Sequence, residues 1–432
     1  MNALETDLYQ LTMAAGYFEA GKTEEQATFE LFVRRMPPNR EFLVAAGLTQ
    51  AVEYLLSLKF TGEQIEYLRR LPQFTGVSPA FFDFLSGLRF TGDVFAMREG
   101  TPFFPGEPIL TLRAPLIEAQ IPETYLLASL SFQSMIASKA IRVIEAAAGR
   151  PVVEFGTRRA HAPEAGRLAG RASYIGGCAG TSNVEAGFRY GIPVFGTAAH
   201  SWVTAFTEES ESYRRLQKLL GPMTVYLIDS YDTLEGARKV AALGKPLWGV
   251  RLDSGNLAEL ARGVRRILDE AGLPEAKIMA TGDLNEEKLR ALVASGAPID
   301  SFGVGTDLAT SADAPTLSAV YKMVEISVDG ERRYTAKYSA EKSTLAGSKQ
   351  VFRYEDWDQI ACSWECPGSC IDAQECEALL RPVILNGSLV EELTSVSEAR
   401  DYCAAARPRM HAARRVEYSH ALLALNDEHR LL

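Results

Sequence analysis

No apolar run in this sequence reaches the ~18 residues that a membrane span needs. The first residues, Met1-Asn2-Ala3-Leu4-Glu5-Thr6-Asp7, carry neither a basic n-region nor an apolar h-region, so no secretory leader is read there and a cytoplasmic location is expected. Positive charge is in deficit: 45 Lys and Arg stand against 55 Asp and Glu, a net of -10. That argues against a general nucleic-acid coat, although a local cluster of Lys and Arg could still take an anionic small molecule. Cysteine is sparse, at six residues. In a cytosolic chain of this size, that number points to thiols or metal ligands and not to a disulfide framework. Histidine is scarcer still, at five, and only His161 and His200 precede residue 400. Low-complexity tracts are missing too, and the only repeat is a strand–helix rhythm.

An apolar fraction of 47% is enough for a large core. The length suits about two or three domains. Thr6 can cap a helix over 6–18 that Gly21 stops. Residues 26–35 alternate apolar and polar positions and predict a half-buried strand. A helix at 42–58 and strands at 90–98 and 109–112 follow, giving a mixed α and β segment with antiparallel pairing. Around Pro122 the rhythm changes. A long helix over 123–148 ends at Gly149 and Pro151. The chain then alternates strand, polar turn and helix, with strand ends near Phe155, Gly177, Phe195, Ile228, Leu252, Ala280 and Phe302. The expected fold is an irregular α/β barrel of parallel strands, which would bring those ends to one face; an open doubly wound sheet is the alternative. Beyond 316, strands at 320–328 and 332–338 flank the hairpin signal Asp329-Gly330, and 349–354 is expected to extend the same N-terminal sheet. Residues 395–425 read as helix. The predicted domains are an α+β sandwich of 1–115 completed by 317–355, a barrel of 116–316, and a small Cys-rich and helical C-terminal module of 356–432.

Chemistry gathers at the strand ends. Ile192-Pro193-Val194-Phe195 reads as a buried strand presenting Gly196-Thr197-Ala198-Ala199-His200. A lone histidine is usually a hydrogen-bonded core residue, but His200 has company. Glu154-Phe155-Gly156-Thr157-Arg158-Arg159 offers guanidinium groups for phosphate or carboxylate. Gly180-Thr181-Ser182-Asn183 offers hydroxyls and backbone N–H groups. Asp229-Ser230-Tyr231-Asp232 and Arg251-Leu252-Asp253-Ser254 place acids and an arginine. Thr281-Gly282-Asp283 and Gly303-Val304-Gly305-Thr306-Asp307 add glycine turns suited to phosphate. Singly, such turns are common helix starts; together they suit a magnesium-bound diphosphate.

On these motifs, with Thr6-Asp7-Leu8-Tyr9-Gln10 and Lys349-Gln350-Val351-Phe352-Arg353, the chain resembles nicotinate phosphoribosyltransferases within the wider nicotinate, nicotinamide and quinolinate group. The resemblance runs from residue 6 to about 353. It implies that nicotinate and 5-phosphoribosyl-1-diphosphate give nicotinate mononucleotide and diphosphate, with ATP hydrolysis coupled through phosphorylated His200 and with Mg²⁺ as cofactor. It implies a homodimer with shared active sites, in which Tyr9 of the partner subunit stacks on the pyridine ring opposite Phe155. Arg158 and Arg251 would hold substrate anions. Asp229 and Asp253 would lie near ribose and magnesium. Gly282, Asp283, Gly305 and Thr306 would line the 5-phosphate and ribose site, beside Thr181, while Lys337, Lys342 and Lys349 would contact phosphates. Nicotinamide-using relatives carry an acid where this chain has Ser182, so nicotinate is the expected substrate. The alternatives are a nicotinamide enzyme or a non-catalytic phosphate- or nucleotide-binding barrel. Cys362, Cys366, Cys370 and Cys376 could hold a structural Zn²⁺, although their spacing lacks the usual Cys-x-x-Cys pair; unligated loop thiols are the alternative.

Overall fold

The computed structural model describes residues 2–337, 344–366, 376–390, 392–410 and 414–430. The chain divides into two compact units, Met1–Met135 with Thr316–Leu432, and Ile136–Pro315.

The first unit is built on a seven-stranded antiparallel sheet. Its order is Glu331–Tyr334, Ala319–Val328, Gln26–Val33, Pro108–Pro115, Asp93–Met97, Leu380–Leu385, Ser388–Leu389. Gln26–Val33 lies between two neighbours and is covered on both faces, so it is not the half-buried strand expected. Its polar positions survive burial by pairing: Thr28 donates to Glu325 at 3.0 Å, and Glu30, fully buried, meets the Lys349 ammonium at 2.9 Å.

Three sequence expectations change in this unit. Lys349–Arg353 does not extend the N-terminal sheet. It sits in a four-stranded sheet ordered Glu377–Ala378, Lys349–Arg353, Trp357–Cys362, Arg415–Tyr418. Residues 395–425 are not one helix: Val396–Ala406 starts from a Ser395/Glu398 capping box and gives way to a short turn with Pro408 near its start. The strand Arg415–Tyr418 and the helix His420–Arg430 follow. Residues after 356, read as a separate module, contribute to the first unit, since Leu380–Leu385 pairs with Asp93–Met97.

The second unit carries a six-stranded parallel sheet ordered Gly180–Thr181, Val152–Glu154, Ser301–Val304, Lys277–Ala280, Gly249–Leu252, Val225–Leu227. The apolar strand residues are needed because helices cover the sheet: Val250, Leu252, Ile278, Ala280 and Phe302 share a core with Ala261, Val264 and Leu268, which recur on one stripe of the helix Leu257–Glu270. Among the described residues the hydrogen-bonded strands do not close into a ring, because Val225–Leu227 pairs only with Gly249–Leu252. The strand expected to end near Gly177 is instead the helix Pro163–Ile175, started by Pro163 in its first turn. Gly177, at φ +107°, turns the chain into the short strand Gly180–Thr181. The run 192–195 is not a buried strand either: only Ile192 is buried, Val194 and Phe195 are exposed, and the pairing is a single bridge from Val194 to Thr181. Among the described residues, no helix is long and apolar enough to cross a membrane.

Candidate active site

The carboxyl ends of the parallel strands hold one continuous polar network, and Arg251 is its hub. This arginine is the penultimate residue of the Gly249–Leu252 strand and is mostly buried. Its Nε donates to Thr281 Oγ1 at 2.8 Å, one terminal nitrogen to Thr197 Oγ1 at 2.7 Å, and the other to Asp253 Oδ1 at 2.6 Å. Three separate loops, at Thr197, Asp253 and Thr281, are thereby tied by one planar fork, which a lysine could not span. Thr281 also donates to Asp253 Oδ1. Burial alone would push the Asp253 carboxyl up. The hydrogen bonds from Thr281 and Arg251, with the Arg251 charge, outweigh that and hold it below the ordinary carboxylate range.

Asp253 joins the next loop through its backbone, N–H to Asp229 Oδ2 at 2.9 Å, where the Ser254 hydroxyl also donates at 2.7 Å. The other oxygen, Asp229 Oδ1, is buried with no hydrogen-bond partner. His200 opens the helix His200–Thr204. Its Nδ1 and the Ser230 hydroxyl share a 3.0 Å hydrogen bond, and its Nε2 lies 3.8 Å from Asp253 Oδ2, while about half the side chain (47%) faces solvent. The imidazole is therefore oriented from one side and open to a reactant. The bland reading of His200 as a core histidine is ruled out by that exposure.

Glycines in this region are dictated by contact. Gly282 has φ +92°, and a Cβ there would stand 1.9 Å from the Asp253 carbonyl oxygen. A Cβ on Gly303 would strike the Phe155 ring at 2.6 Å and Thr281 Cγ2 at 2.7 Å, so the half-buried Phe155 packs closely on the end of the Ser301–Val304 strand. Glu154, fully buried before it, clamps two turns: Thr181 Oγ1 donates at 2.6 Å, the Gly156 N–H also donates, and the Glu154 carbonyl takes the Ser182 N–H at 2.9 Å. Burial pushes the Glu154 carboxyl up, and these two side-chain bonds only partly offset it.

The predicted residues fall into groups. His200, Asp229, Arg251, Asp253 and Gly282 are brought together. Phe155 shares Gly303 and Thr281 with that network. Arg158 and Arg159 are exposed on the turn Thr157–Arg159. Asp283, at φ +47°, and Thr306 are exposed, with Gly305 beside the Phe155 carbonyl. Thr181 is buried and fully engaged, donating to Glu154 and accepting the Asn183 N–H at 3.0 Å, so it shapes the turn and does not present its hydroxyl. Ser182 is half-exposed. Asp232 caps the helix Thr233–Leu243 by accepting the Glu235 N–H.

Tyr9 and the lysines belong to the first unit. Tyr9 is about half exposed (48%) on the helix Leu8–Glu19, and Lys337 is exposed. Lys342 lies outside the described residues. Lys349 contradicts the expectation that it meets phosphate: it is buried, and its ammonium is spent on Glu30 and on the carbonyls of Leu345 at 3.0 Å and Gly347 at 2.7 Å. Cys362 is buried in a strand, its thiol pushed up to about 12 by burial first and Glu365 second. Cys366 is exposed and Cys376 half-buried; Cys370 lies outside the described residues. Among the described residues no group of three His, Cys, Asp or Glu side chains is placed to hold a metal ion.

Sequence reasoning missed Thr197, Ser230 and Thr281 as individual residues, although each lies in a motif it singled out. Their signal is a hydroxyl one or two positions past a strand end, where a buried arginine or imidazole needs a partner.

The donor set also bears on magnesium. Asp229 Oδ1 without a donor, and Asp253 held ionised, are hard oxygen ligands; two carboxylates completed by substrate phosphate oxygens fit Mg²⁺ better than an all-protein cage would.

Residues 4–131 match the model of the nicotinate phosphoribosyltransferase N-terminal domain, and residues 151–381 that of the nicotinate phosphoribosyltransferase family. A nicotinate phosphoribosyltransferase of Mycobacterium tuberculosis is 44% identical over 409 residues, covering 93% of this chain and 86% of the relative. That of Bacillus subtilis is 44% identical over 360 residues, covering 81% and 73%. The crystal structure of human nicotinic acid phosphoribosyltransferase superposes with a TM-score of 0.86 at 29% identity, covering 98% of this chain and 99% of that one. The chain belongs to the nicotinate phosphoribosyltransferase family.

Proposed function

We propose that the protein joins nicotinate to 5-phosphoribosyl-1-diphosphate, giving nicotinate mononucleotide and diphosphate in pyridine nucleotide salvage, with ATP hydrolysis coupled through phosphorylated His200. The observation that carries this reading is the Arg251 fork, which locks Thr197, Thr281 and Asp253 around an open imidazole. In the reaction the pyridine nitrogen attacks C1 of the ribose. The bond from C1 to the diphosphate oxygen breaks, and diphosphate leaves with the electron pair. Little covalent help is needed; the work is electrostatic, on an oxocarbenium-like centre and a departing anion. Magnesium, when bound, would neutralise the diphosphate, with Asp229 and Asp253 as its protein ligands. In the coupled step His200 would take the γ-phosphoryl group of ATP on a ring nitrogen, releasing ADP, and water would later remove it as phosphate. Ser230 orients that ring.

Phe155 offers a flat apolar face to the pyridine ring. The turn 180–183 supports nicotinate over nicotinamide. Ser182 brings no charge, and the acid that braces that turn, Glu154, is buried and occupied by Thr181 and Gly156. A carboxylate presented there would repel nicotinate. Arg158, exposed on the turn Thr157–Arg159, would then take a substrate carboxylate or phosphate. Val184 (72%) and Phe188 (84%) are exposed beside Val194 and Phe195. Such an apolar patch next to the 180–183 turn supports a homodimer in which the second copy, with its own Tyr9, completes the site. An irregular barrel arrangement of the parallel strands and a cytoplasmic location complete the reading. The direct test is product formation by the purified protein with nicotinate or nicotinamide, donor, Mg²⁺ and ATP. Nucleotide from nicotinate alone supports the proposal, and comparable turnover of nicotinamide contradicts the specificity.

A further inference from the structure

At the sheet end, and drawing only Asp307 from the motifs above, lies a buried ion cluster. Lys139, on the helix Glu123–Ala146, is 1% exposed. Its ammonium meets Glu286 Oε2 at 2.7 Å and Asp313 Oδ1 at 2.9 Å, and also Asp307 Oδ1. Arg142, one turn on, reaches Glu286 Oε1 at 2.8 Å and Asp313 Oδ2 at 2.5 Å. Burial alone would push the Lys139 ammonium down, but bonds to three carboxylates outweigh it and keep the group charged.

The acids are not scattered. Asp307 directly follows Thr306, and Glu286 stands three residues after Asp283, at the first position of the helix Glu286–Ala294. One ammonium thus ties down both glycine turns, 282–283 and 305–306, from below. The cluster contains three acids and two cations, so removing Lys139 would loosen both turns and leave uncompensated negative charge behind them. Both effects oppose an anion sitting on the turns directly, and reach Phe155 only through its backbone, where Gly305 lies against the Phe155 carbonyl.

We infer that Lys139 is a positioning residue for the phosphoribosyl donor, setting the 282–283 and 305–306 turns through Glu286 and Asp307. This rests on the proposed reading, in which those turns hold the donor's 5-phosphate and ribose. A purely structural lysine would lower stability, or both substrate affinities together; a positioning residue splits them.

The test is saturation kinetics on wild type, Lys139→Met, Lys139→Arg and Asp307→Asn, with KM measured separately for donor and nicotinate, alongside thermal unfolding. Lys139→Met should raise the donor KM about tenfold or more and the nicotinate KM by less than about twofold. Lys139→Arg, which keeps the charge, should recover most of the loss. Asp307→Asn leaves Lys139 paired with Glu286 and Asp313 and should shift the donor KM in the same direction by less. If Lys139→Met does not fold, Asp307→Asn decides, and an unchanged donor KM in that variant overturns the inference. Parallel shifts in both KM values, or a lower Tm with both unchanged, also overturn it. If the wild type makes no nucleotide, the reading of the site fails instead. Equilibrium binding of phosphoribosyl diphosphate to wild type and Asp307→Asn then tests the positioning role by itself, with weaker binding by the variant expected and equal binding contradicting it.

Discussion

Arg251 donates to the carboxylate of Asp253, two residues along the same strand end, at 2.6 Å, while its remaining nitrogens hold hydroxyls from two other loops. The pair fixes where a carboxylate points by using a guanidinium as a three-way brace. Arg251→Lys keeps the charge and loses the fork. The expected result is a fall in kcat/KM of about 10²-fold with a small change in Tm, because a misplacement of about 1 Å is enough for such a loss. Steady-state kinetics and a thermal melt check it; a lysine variant of near wild-type activity would show that only the charge matters.

Asp253 also predicts a pH dependence. Its folded-state carboxyl lies below the ordinary range, so its contribution to stability is fully present above the unfolded value of about 3.9 and is lost as pH falls through the lower folded value. The stability difference between wild type and Asp253→Asn should be constant near neutral pH and should shrink in acid, below about pH 4. Denaturant unfolding as a function of pH measures it. A difference that grows in acid would contradict the assigned direction.

Under the proposed reading, Ser182→Asp places a carboxylate beside the pyridine substituent. The nicotinate KM should rise about tenfold or more, and nicotinamide turnover should become measurable. If nicotinate kinetics do not change, the 180–183 turn does not select the substrate.

Lys349 gives a prediction opposite to its sequence reading. Lys349→Met would strand the fully buried Glu30 without its counter-ion, at a cost of about 3–5 kcal/mol. The folded fraction should keep its KM for the phosphoribosyl donor. A raised donor KM with unchanged stability would restore the phosphate-contact role.

Lys349 shows why some of the site was hard to read. Its partner Glu30 is 319 positions away, and a lysine in an alternating strand looks exposed until the strand's neighbours are known. Lys139 escaped notice for the same reason, as one cation in a long helix whose acids come from turns well over a hundred residues on. The strand-end motifs were legible because each carries its chemistry within a few residues, and the parallel strands between them are short apolar runs. Gly177 misled because Ser173-Tyr174-Ile175 is strand-like in composition, yet Pro163 had already begun a helix. The run 192–195 misled because apolar composition does not separate a core strand from a surface patch. The break in 395–425 was hidden by its Ala- and Arg-rich content, although Pro408 and the alternation in Arg415–Tyr418 marked it.

The central claim is that His200 couples ATP to nucleotide formation, and the most direct measurement compares wild type with His200→Ala in an assay of nicotinate mononucleotide from nicotinate, donor and Mg²⁺, with and without ATP. ATP should stimulate the wild type and leave the variant at its unstimulated rate. Equal stimulation of both proteins would make His200 a structural residue and contradict the account.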